Sequence, residues 1–184
     1  MTTIIGISGS LRRHSFNSAL LRTAATLVPD GTELHIKSIA DIPLYNADVE
    51  SEQGLPPAVA QLKEDIAGSD ALLICTPEYN NSVPGVLKNA IDWLSRPAND
   101  IPRVFGGLPV AVMGASAGRF GTVLAQNAWL PILRTLGAYH WSGGRLLVPS
   151  AATAFDQDGN LLDNAVRDRL STFIQEFSGF AAAR

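Results

Sequence analysis

Residues 70–84 read DALLICTPEYNNSVP, and this stretch decides the fold class. Its first part, Asp70 to Thr76, predicts a strand that is apolar on both faces, which is typical of a parallel sheet covered by helices on both sides. A polar turn follows it. Pro84 then predicts the start of a helix, because a proline in the first helical turn removes no hydrogen bond that the helix needs. The apolar face of this helix is formed by Val86, Leu87, Ala90, Ile91 and Leu94.

Further strands and helices are predicted on both sides of this stretch. The hydrophobic pattern predicts strands at Thr3–Ser8, Glu33–Ser38 and Pro109–Met113, and it predicts that Ala138–Trp141 and Leu146–Val148 together supply the last part of the sheet. It predicts helices that start near Ser15, span Pro57–Ala67, run through to Leu136 and span Asp163–Phe177. Pro131 is expected to kink or split the helix that ends at Leu136, because proline lacks an N–H group. Residues 40–56 predict a polar loop that is long enough to be a candidate functional loop.

This alternation of strands and helices predicts one α/β domain that covers residues 1–184. Short, right-handed connections favour a doubly wound, five-stranded parallel sheet in the order 2-1-3-4-5, with helices on both faces. Ligands of such folds bind beyond the carboxyl ends of the strands, where the strand order reverses. The turns after the first, third and fourth strands are therefore the predicted site.

Composition excludes several classes of protein. The net charge is −3 with 17% charged and 46% hydrophobic residues, which argues against a disordered chain and against the basic surface of a nucleic-acid binder. The longest apolar runs are far too short for a membrane span. The single cysteine, Cys75, cannot form an internal disulfide, and the N-terminus lacks the pattern of a secretion signal, so we expect a cytoplasmic protein. The sequence contains no His/Cys cluster of the kind that binds a metal ion, so it predicts no metal site.

The first turn, residues 9–18, reads GSLRRHSFNS and joins a strand to a helix N-terminus. Helix N-termini bind anions through unpaired N–H groups, and Arg12 can add charge-assisted hydrogen bonds to a phosphate. The turn matches neither the dinucleotide nor the nucleoside-triphosphate fingerprint. The alternative interpretation is an ordinary polar turn in which Ser15 caps the helix.

The second turn, residues 76–85, reads TPEYNNSVPG. Its two prolines restrict the backbone, while Tyr79, Asn80 and Asn81 offer a ring and amide groups. A rigid loop of this kind suits a planar heteroaromatic ligand. The alternative is that the asparagines only satisfy the geometry of the turn.

The third turn, residues 114–121, reads GASAGRFG and matches the G-x-S-x-G nucleophile elbow of hydrolases. Such an elbow is followed by an acid and then by a histidine. No acid lies between Ser116 and His140, and no histidine follows His140, so the hydrolase interpretation is not favoured. The small residues instead allow the backbone to approach a flat ligand closely.

Taken together, GSLR at 9–12, SFN at 15–17, PEYN at 77–80 and GVLKNAIDW at 85–93 resemble the NADPH-dependent FMN reductase family. The sequence is most similar to the bacterial NAD(P)H quinone and chromate reductases of that family, over roughly residues 3–175. The resemblance implies a flavodoxin-like fold, non-covalently bound FMN, and a homodimer or homotetramer.

The resemblance also assigns residues to the cofactor. The residues that would hold the FMN phosphate are Ser10, Leu11, Arg12, Ser15, Phe16 and Asn17. The residues that would line the isoalloxazine ring are Pro77, Glu78, Tyr79 and Asn80, with Ser116 nearby. No catalytic acid or base is expected, because the flavin carries the hydride chemistry. Backbone N–H groups near Asn80 and Ser116 are expected to stabilise negative charge on the reduced ring.

The predicted function is that of an FMN-dependent NAD(P)H oxidoreductase. Hydride passes from NADPH or NADH to FMN and then to a quinone, a flavin or a similar small acceptor, with ping-pong kinetics. One alternative is a flavodoxin-type electron carrier that NAD(P)H does not reduce directly. Another is a nucleotide-binding or regulatory protein that has kept the fold and lost the flavin.

Four further residues are given interpretations that involve no cofactor contact. Cys75 is interpreted as a small buried residue without reactivity. His14 is interpreted as a solvated turn residue, Arg119 as a solvent-facing side chain, and Trp93 as a core or subunit-contact ring. The sharper hypothesis for Arg119 is a contact with an NADPH phosphate.

Overall fold

A parallel sheet forms the centre of the structure, a computed structural model that describes residues 1–183. Its strand order is β2-β1-β3-β4-β5, and β6 pairs with β4 as well. The strands are β1 (Thr2–Ser8), β2 (Thr32–Lys37), β3 (Ala71–Cys75), β4 (Pro109–Ala115), β5 (Tyr139–His140) and β6 (Leu146–Val148). The predicted parallel order 2-1-3-4-5 is thereby confirmed.

The two segments predicted as the last part of the sheet form two short strands at its fifth position, so the described sheet has six strands at five positions. β5 pairs with the start of β4 at Pro109 and Val110, and β6 pairs with its end at Met113–Ala115. Between them the chain leaves the sheet, and Gly143 packs closely against the indole ring of Trp141. The intervening segment thus divides one edge position into two strands.

Helices cover both faces of the sheet. They are α1 (Phe16–Ala25), α2 (Ala47–Gln53), α3 (Pro57–Ala67), α4 (Gly85–Leu94), α5 (Ile101–Val104), α6 (Val123–Thr135), α7 (Ala151–Ala154) and α8 (Asn164–Ala182). All five residues of β3 are buried. Leu73 and Cys75 pack in a core with α1 and α8, and Leu72 and Ile74 pack in a second core with α3, α4 and α6. The apolar strand therefore has the two covered faces that its sequence predicts.

Three details of the helices differ from the sequence prediction. Pro84 is the N-cap of α4, one residue before the helix begins. α6 continues through Pro131 as one helix, so of the two predicted outcomes the split is wrong, while the kink stays a prediction. Pro131 is exposed, and water can therefore bind the carbonyl of Asn127 that the proline leaves without an N–H partner. The predicted loop at residues 40–56 contains the short helix α2.

The segment 40–56 is anchored on α4. The indole Nε1 of Trp93 donates to the carbonyl of Pro43 at 2.9 Å, and the side chain of Asn89 donates to the same carbonyl at 2.8 Å. Arg96 donates to both carboxylate oxygens of Glu50, which lowers the pKa of Glu50. Trp93 itself is fully buried, as the core interpretation predicts. Among residues 1–183, no helix is both long enough and apolar enough to cross a bilayer.

Candidate functional site

The three predicted turns meet at the carboxyl ends of β1, β3 and β4, where they surround a cleft of about 240 Å³. We call it the central cleft. Nine of the eleven predicted cofactor residues line it. They are Ser10, Arg12, Ser15, Phe16 and Asn17 from the first turn, Pro77, Glu78 and Tyr79 from the second, and Ser116 from the third. Leu11 and Asn80 lie outside this lining.

The first two turns touch because Gly9 has no side chain. A Cβ atom at Gly9 would lie 2.7 Å from a methyl group of Leu87 and 2.9 Å from the ring of Pro77. The N–H group of Gly9 also donates to the carbonyl of Cys75 at 2.9 Å. The first turn is therefore held directly against the end of β3.

The N-terminus of α1 offers free hydrogen-bond donors to the cleft. Ser15 caps the helix, and its Oγ accepts from the N–H group of Ser18 at 3.2 Å. The N–H groups of Phe16 and Asn17 have no partner within the described part of the chain. Two free N–H groups at the start of a helix, together with its positive dipole end, are suited to bind an anion. The capping role of Ser15 and the predicted anion site thus coexist.

Arg12 is held beside this helix start. One of its guanidinium nitrogens donates to the carbonyl of His14 at 2.6 Å, and its guanidinium carbon lies 5.1 Å from the ring centroid of Phe16. The remaining N–H groups of the guanidinium are open to a ligand. Leu11, in contrast, is 52% exposed and lines a neighbouring cleft on the β2 side of the turn.

The side chain of Asn17 does structural work. Its amide Nδ2 donates to the carbonyl of Ala115 at 2.9 Å, and its Oδ1 accepts from the N–H group of the same residue at 2.9 Å. The thiol of Cys75 also lies 3.5 Å from Oδ1. Asn17 therefore joins α1 to β4, and it offers a ligand its main-chain N–H group. Burial raises the pKa of the Cys75 thiol, in agreement with an unreactive buried cysteine.

The second turn is a tight hairpin. Tyr79 and Ser82 exchange two backbone hydrogen bonds of 3.1 and 3.0 Å, and Asn80 and Asn81 between them have φ angles of 49° and 61°. Both angles are positive, as a type I′ turn requires, and asparagine tolerates them better than most residues. The asparagines thus satisfy the turn, and Asn80 is exposed rather than part of the cleft wall. The Tyr79 ring stands half-exposed at the mouth of the cleft.

Glu78 lines the cleft but directs its carboxylate to α6. Its Oε2 accepts from the N–H groups of Leu124 and Ala125 at 2.8 and 3.0 Å. The N-cap residue of α6, Thr122, makes no side-chain capping bond of its own. A carboxylate 46 residues away in sequence therefore caps this helix. Local sequence patterns carried no signal for this contact, because Thr122 is itself a residue type that can cap a helix.

Ser116 has no free donor for a ligand. Its N–H group donates to the carbonyl of Val148 at 3.0 Å, and its hydroxyl donates to the carbonyl of Gly121 at 2.7 Å. The N–H group of Ser116 itself is therefore not available to a bound ring, and the expectation for the other N–H groups near Asn80 and Ser116 stays a prediction. The hydroxyl also lacks the histidine partner of a hydrolase nucleophile among the residues that the structure describes.

The packing inside the protein requires a glycine at position 114. A side chain there would collide with the carbonyl of Thr76 and with the hydroxyl of Thr122. The glycine therefore serves the packing of β4 against its neighbours rather than the approach of a flat ligand.

Within residues 1–183 there is no group of three His, Cys, Asp or Glu side chains that could hold a metal ion.

A parallel 2-1-3-4-5 sheet with free N–H groups in the turn after β1 and a cleft at the strand ends is the architecture of a flavodoxin-like protein. Comparison with known families then gives the assignment: residues 2–153 match the family described as NADPH-dependent FMN reductase. The chain belongs to this family. It is an oxidoreductase with FMN as its cofactor.

Similar proteins span nearly the whole chain. An NAD(P)H-dependent FMN reductase of Pseudomonas aeruginosa is 48% identical over 172 residues, which are 94% of this chain and 91% of that protein. A quinone reductase of Escherichia coli K12 is 40% identical over 179 residues, which are 96% and 94% of the two chains. Among solved structures, FerB of Paracoccus denitrificans, a flavoenzyme NAD(P)H:(acceptor) oxidoreductase, has a TM-score of 0.88 at 35% identity and covers 100% of this chain and 98% of its own.

Proposed function

We propose that the protein transfers hydride from NAD(P)H, by way of FMN bound in the central cleft, to a quinone or a similar flat acceptor. The observation that carries this proposal is the polarity of the cleft. One end offers the free N–H groups of Phe16 and Asn17 beside Arg12, and the other end has the exposed ring of Tyr79. FMN has the matching polarity, with a phosphate at one end and a flat ring at the other.

The residues present fit FMN. The phosphate would be held by Ser10, by Arg12, by Ser15 and by the two free N–H groups of α1. Among the described residues that form the cleft wall, only Glu78 carries a carboxylate. That carboxylate is hydrogen-bonded to the start of α6. A dianionic phosphate therefore meets no free carboxylate there. The ring would lie against Pro77 and Tyr79, near Ser116.

When bound, FMN supplies hydride and electron transfer, for which the side chains of the cleft have no equivalent chemistry. The chain contributes binding and orientation. The backbone of the second turn is fixed by the Tyr79–Ser82 hairpin, and that of the third turn by the bond between Ser116 and Val148. Preorganised walls of this kind hold a planar ligand without reorganisation when the reaction occurs.

The open mouth of the cleft supports ping-pong kinetics. Tyr79 is 47% exposed there, so the donor and the acceptor can occupy the same space in turn. A quinone is the proposed acceptor, because relatives such as the Escherichia coli protein are named quinone reductases. A flat apolar molecule also suits the Tyr79 ring that is exposed at the mouth of the cleft. Another flavin or a small oxidant is the broader class.

We further propose a homodimer or homotetramer. The support is a set of exposed apolar side chains on the elements that surround the cleft, namely Tyr79, Val86, Phe120 and Leu124. Apolar side chains that are exposed on neighbouring segments are the kind of surface that protein contacts cover. A cytoplasmic location completes the proposal, supported by the single cysteine, which is typical of a reducing compartment.

Anaerobic reduction tests the proposed function. The purified chain is incubated with FMN, desalted, and mixed with NADPH or NADH while the absorption of oxidised flavin is followed. Bleaching by either nucleotide, followed by recovery when a quinone is added, supports the proposal. Flavin that stays bound but is bleached by neither nucleotide would favour the electron-carrier alternative, and a chain that retains no flavin would contradict the assignment of the cleft.

A further inference from the structure

A second cleft lies beside the central cleft and shares Ser10 and Arg12 with it. It has a volume of about 380 Å³ and lies between the first turn, α1 and the end of β2. We call it the β2-side cleft. Because the two clefts share a wall, a ligand that extends beyond the central cleft can continue into this one.

The β2-side cleft is rich in unpaired positive charge. Arg12, Arg13 and Arg22 line it, and the fourth cation, Lys37, pairs with Asp65 at 2.9 Å. Arg13 and Arg22 have no carboxylate partner within residues 1–183. The wall formed by the described residues contains no carboxylate. In a chain with a net charge of −3, this is a local positive field that attracts anions.

The opposite side of the same arginines is less suited to an anion. There they border a larger cleft of about 640 Å³, whose wall includes the carboxylates of Asp156 and Asp158. Negative charge on that side opposes a bound phosphate. An anion that binds these arginines is therefore expected on the β2 side.

The remaining wall of the β2-side cleft suits a nucleoside. Ser18 and Arg22 are four residues apart on α1 and therefore lie on one face of the helix. Two apolar side chains, Leu11 and Ile36, are 52% and 43% exposed at the edge of the cleft. The cleft thus combines guanidinium groups, a hydroxyl group and apolar surface, which are the contacts that a phosphorylated ribose with its base requires.

We propose that the β2-side cleft binds the adenosine half of NADPH, with Arg13 and Arg22 recognising its 2′-phosphate. This inference rests on the proposed function, since the nicotinamide must reach the central cleft. The FMN phosphate accounts for the start of α1 and for Arg12, which leaves the other two arginines for a second phosphate. Guanidinium groups form charge-assisted, often bidentate bonds to phosphate monoesters. NADH lacks this phosphate, so the two arginines select NADPH.

Binding of nucleotide fragments tests this assignment without any turnover. The probes are 2′,5′-ADP and 5′-AMP, which differ by the 2′-phosphate, titrated calorimetrically into the FMN-loaded full chain. We expect 2′,5′-ADP to bind at least about tenfold more tightly than 5′-AMP, and the double variant Arg13→Ala/Arg22→Ala to lose this difference. Both side chains are exposed, so the fold does not depend on them.

Two further variants serve as controls. Arg134→Ala removes an exposed arginine from the last turn of α6 and is expected to leave the difference between the two probes intact. Arg13→Lys/Arg22→Lys keeps the charge but loses the planar guanidinium, so we expect an intermediate difference. The ratio of kcat/KM for NADPH to that for NADH should fall at least about tenfold in the double alanine variant.

Equal affinity of the two probes for the unmodified chain would overturn the inference, and so would an unchanged preference in the double alanine variant. A preference that disappears only in Arg119→Ala would also overturn it, because the phosphate would then bind in the loop before α6. Failure of the proposed function has a separate signature. In that case neither nucleotide bleaches the bound flavin, whatever the affinity for 2′,5′-ADP.

Discussion

The first and third turns occupy equivalent places in the fold but differ in what they leave free. Each follows the carboxyl end of a strand and precedes a helix. The first turn leaves the N–H groups of Phe16 and Asn17 without partners. In the third turn, Ser116 is bonded through both its N–H group and its hydroxyl, and the start of α6 is capped by Glu78. Equivalent topology therefore does not imply equivalent binding capacity.

Because of this difference, the two ends of the central cleft offer different groups to a ligand. The first turn leaves two N–H groups free beside a guanidinium, whereas Ser116 and the start of α6 are bonded within the protein. A ligand with one charged end and one flat end can bind with its charge toward α1 and its flat end toward the other two turns. The predictions below test this contrast, starting with the largest expected effect.

Replacing Asn17 by alanine tests the connection between the two turns. The change leaves the N–H and carbonyl groups of Ala115 buried without their partner, so we expect a loss of about 2–4 kcal/mol in the free energy of unfolding. Urea unfolding measures it. Asn127→Ala, at an exposed position on α6, is the control and should change the free energy by less than about 0.5 kcal/mol. Similar losses in both variants would contradict the role given to Asn17.

Replacing Arg12 by alanine tests the charged end of the cleft. Loss of a charge-assisted bond to phosphate should cost about 1.5–3 kcal/mol, or roughly a ten- to hundredfold weaker affinity for FMN. Fluorescence titration of the apoprotein with FMN measures it. Arg119→Ala removes the arginine of the third turn and should leave the affinity within about twofold. If both variants lose equal affinity, the contrast between the turns does not hold.

Replacing Glu78 by glutamine tests the end of the cleft that lies against α6. The amide keeps one acceptor for α6 but loses the charge that complements the helix dipole, so stability should fall by about 0.5–1 kcal/mol. FMN affinity should change by less than about threefold, because the carboxylate faces α6. Unfolding and titration of the same preparation report both quantities. A tenfold change in affinity without loss of stability would show that the carboxylate acts on the ligand.

Asn80 provides the smallest test, through a matched pair of substitutions. Asn80→Ala forces a side chain without a local hydrogen bond into a positive φ angle and should cost about 1 kcal/mol of stability. Asn80→Gly accepts that angle and should change stability by about 0.5 kcal/mol or less. Both variants should bind FMN like the unmodified chain. Weaker binding in both would restore the predicted contact between the Asn80 side chain and the ring.

These contacts also show how far the sequence reaches. The strand order and the convergence of the three turns follow from local apolar patterns and from the rules of parallel sheets, and nine of eleven predicted residues do meet in one cleft. Local patterns also supply the Ser15 cap, because a cap and its partner are three residues apart.

The missed features depend on partners that are distant in sequence. The carboxylate of Glu78 finds the start of α6, and the N–H group of Ser116 finds Val148, only after the sheet has formed. Pro131 remains inside one helix because its position faces solvent, which the local sequence does not reveal. Residue type thus predicted which turns meet at the central cleft, and tertiary contacts decided which of their polar groups stay free.

The most direct test of this account compares the affinities of the apoprotein for FMN and for riboflavin, which lacks the phosphate. If the free N–H groups of α1 and Arg12 hold the phosphate, FMN binds about a hundredfold more tightly or better, and Arg12→Ala narrows the gap. Equal affinities for the two flavins would contradict the account, because the open end of the cleft would then make no contact with the phosphate.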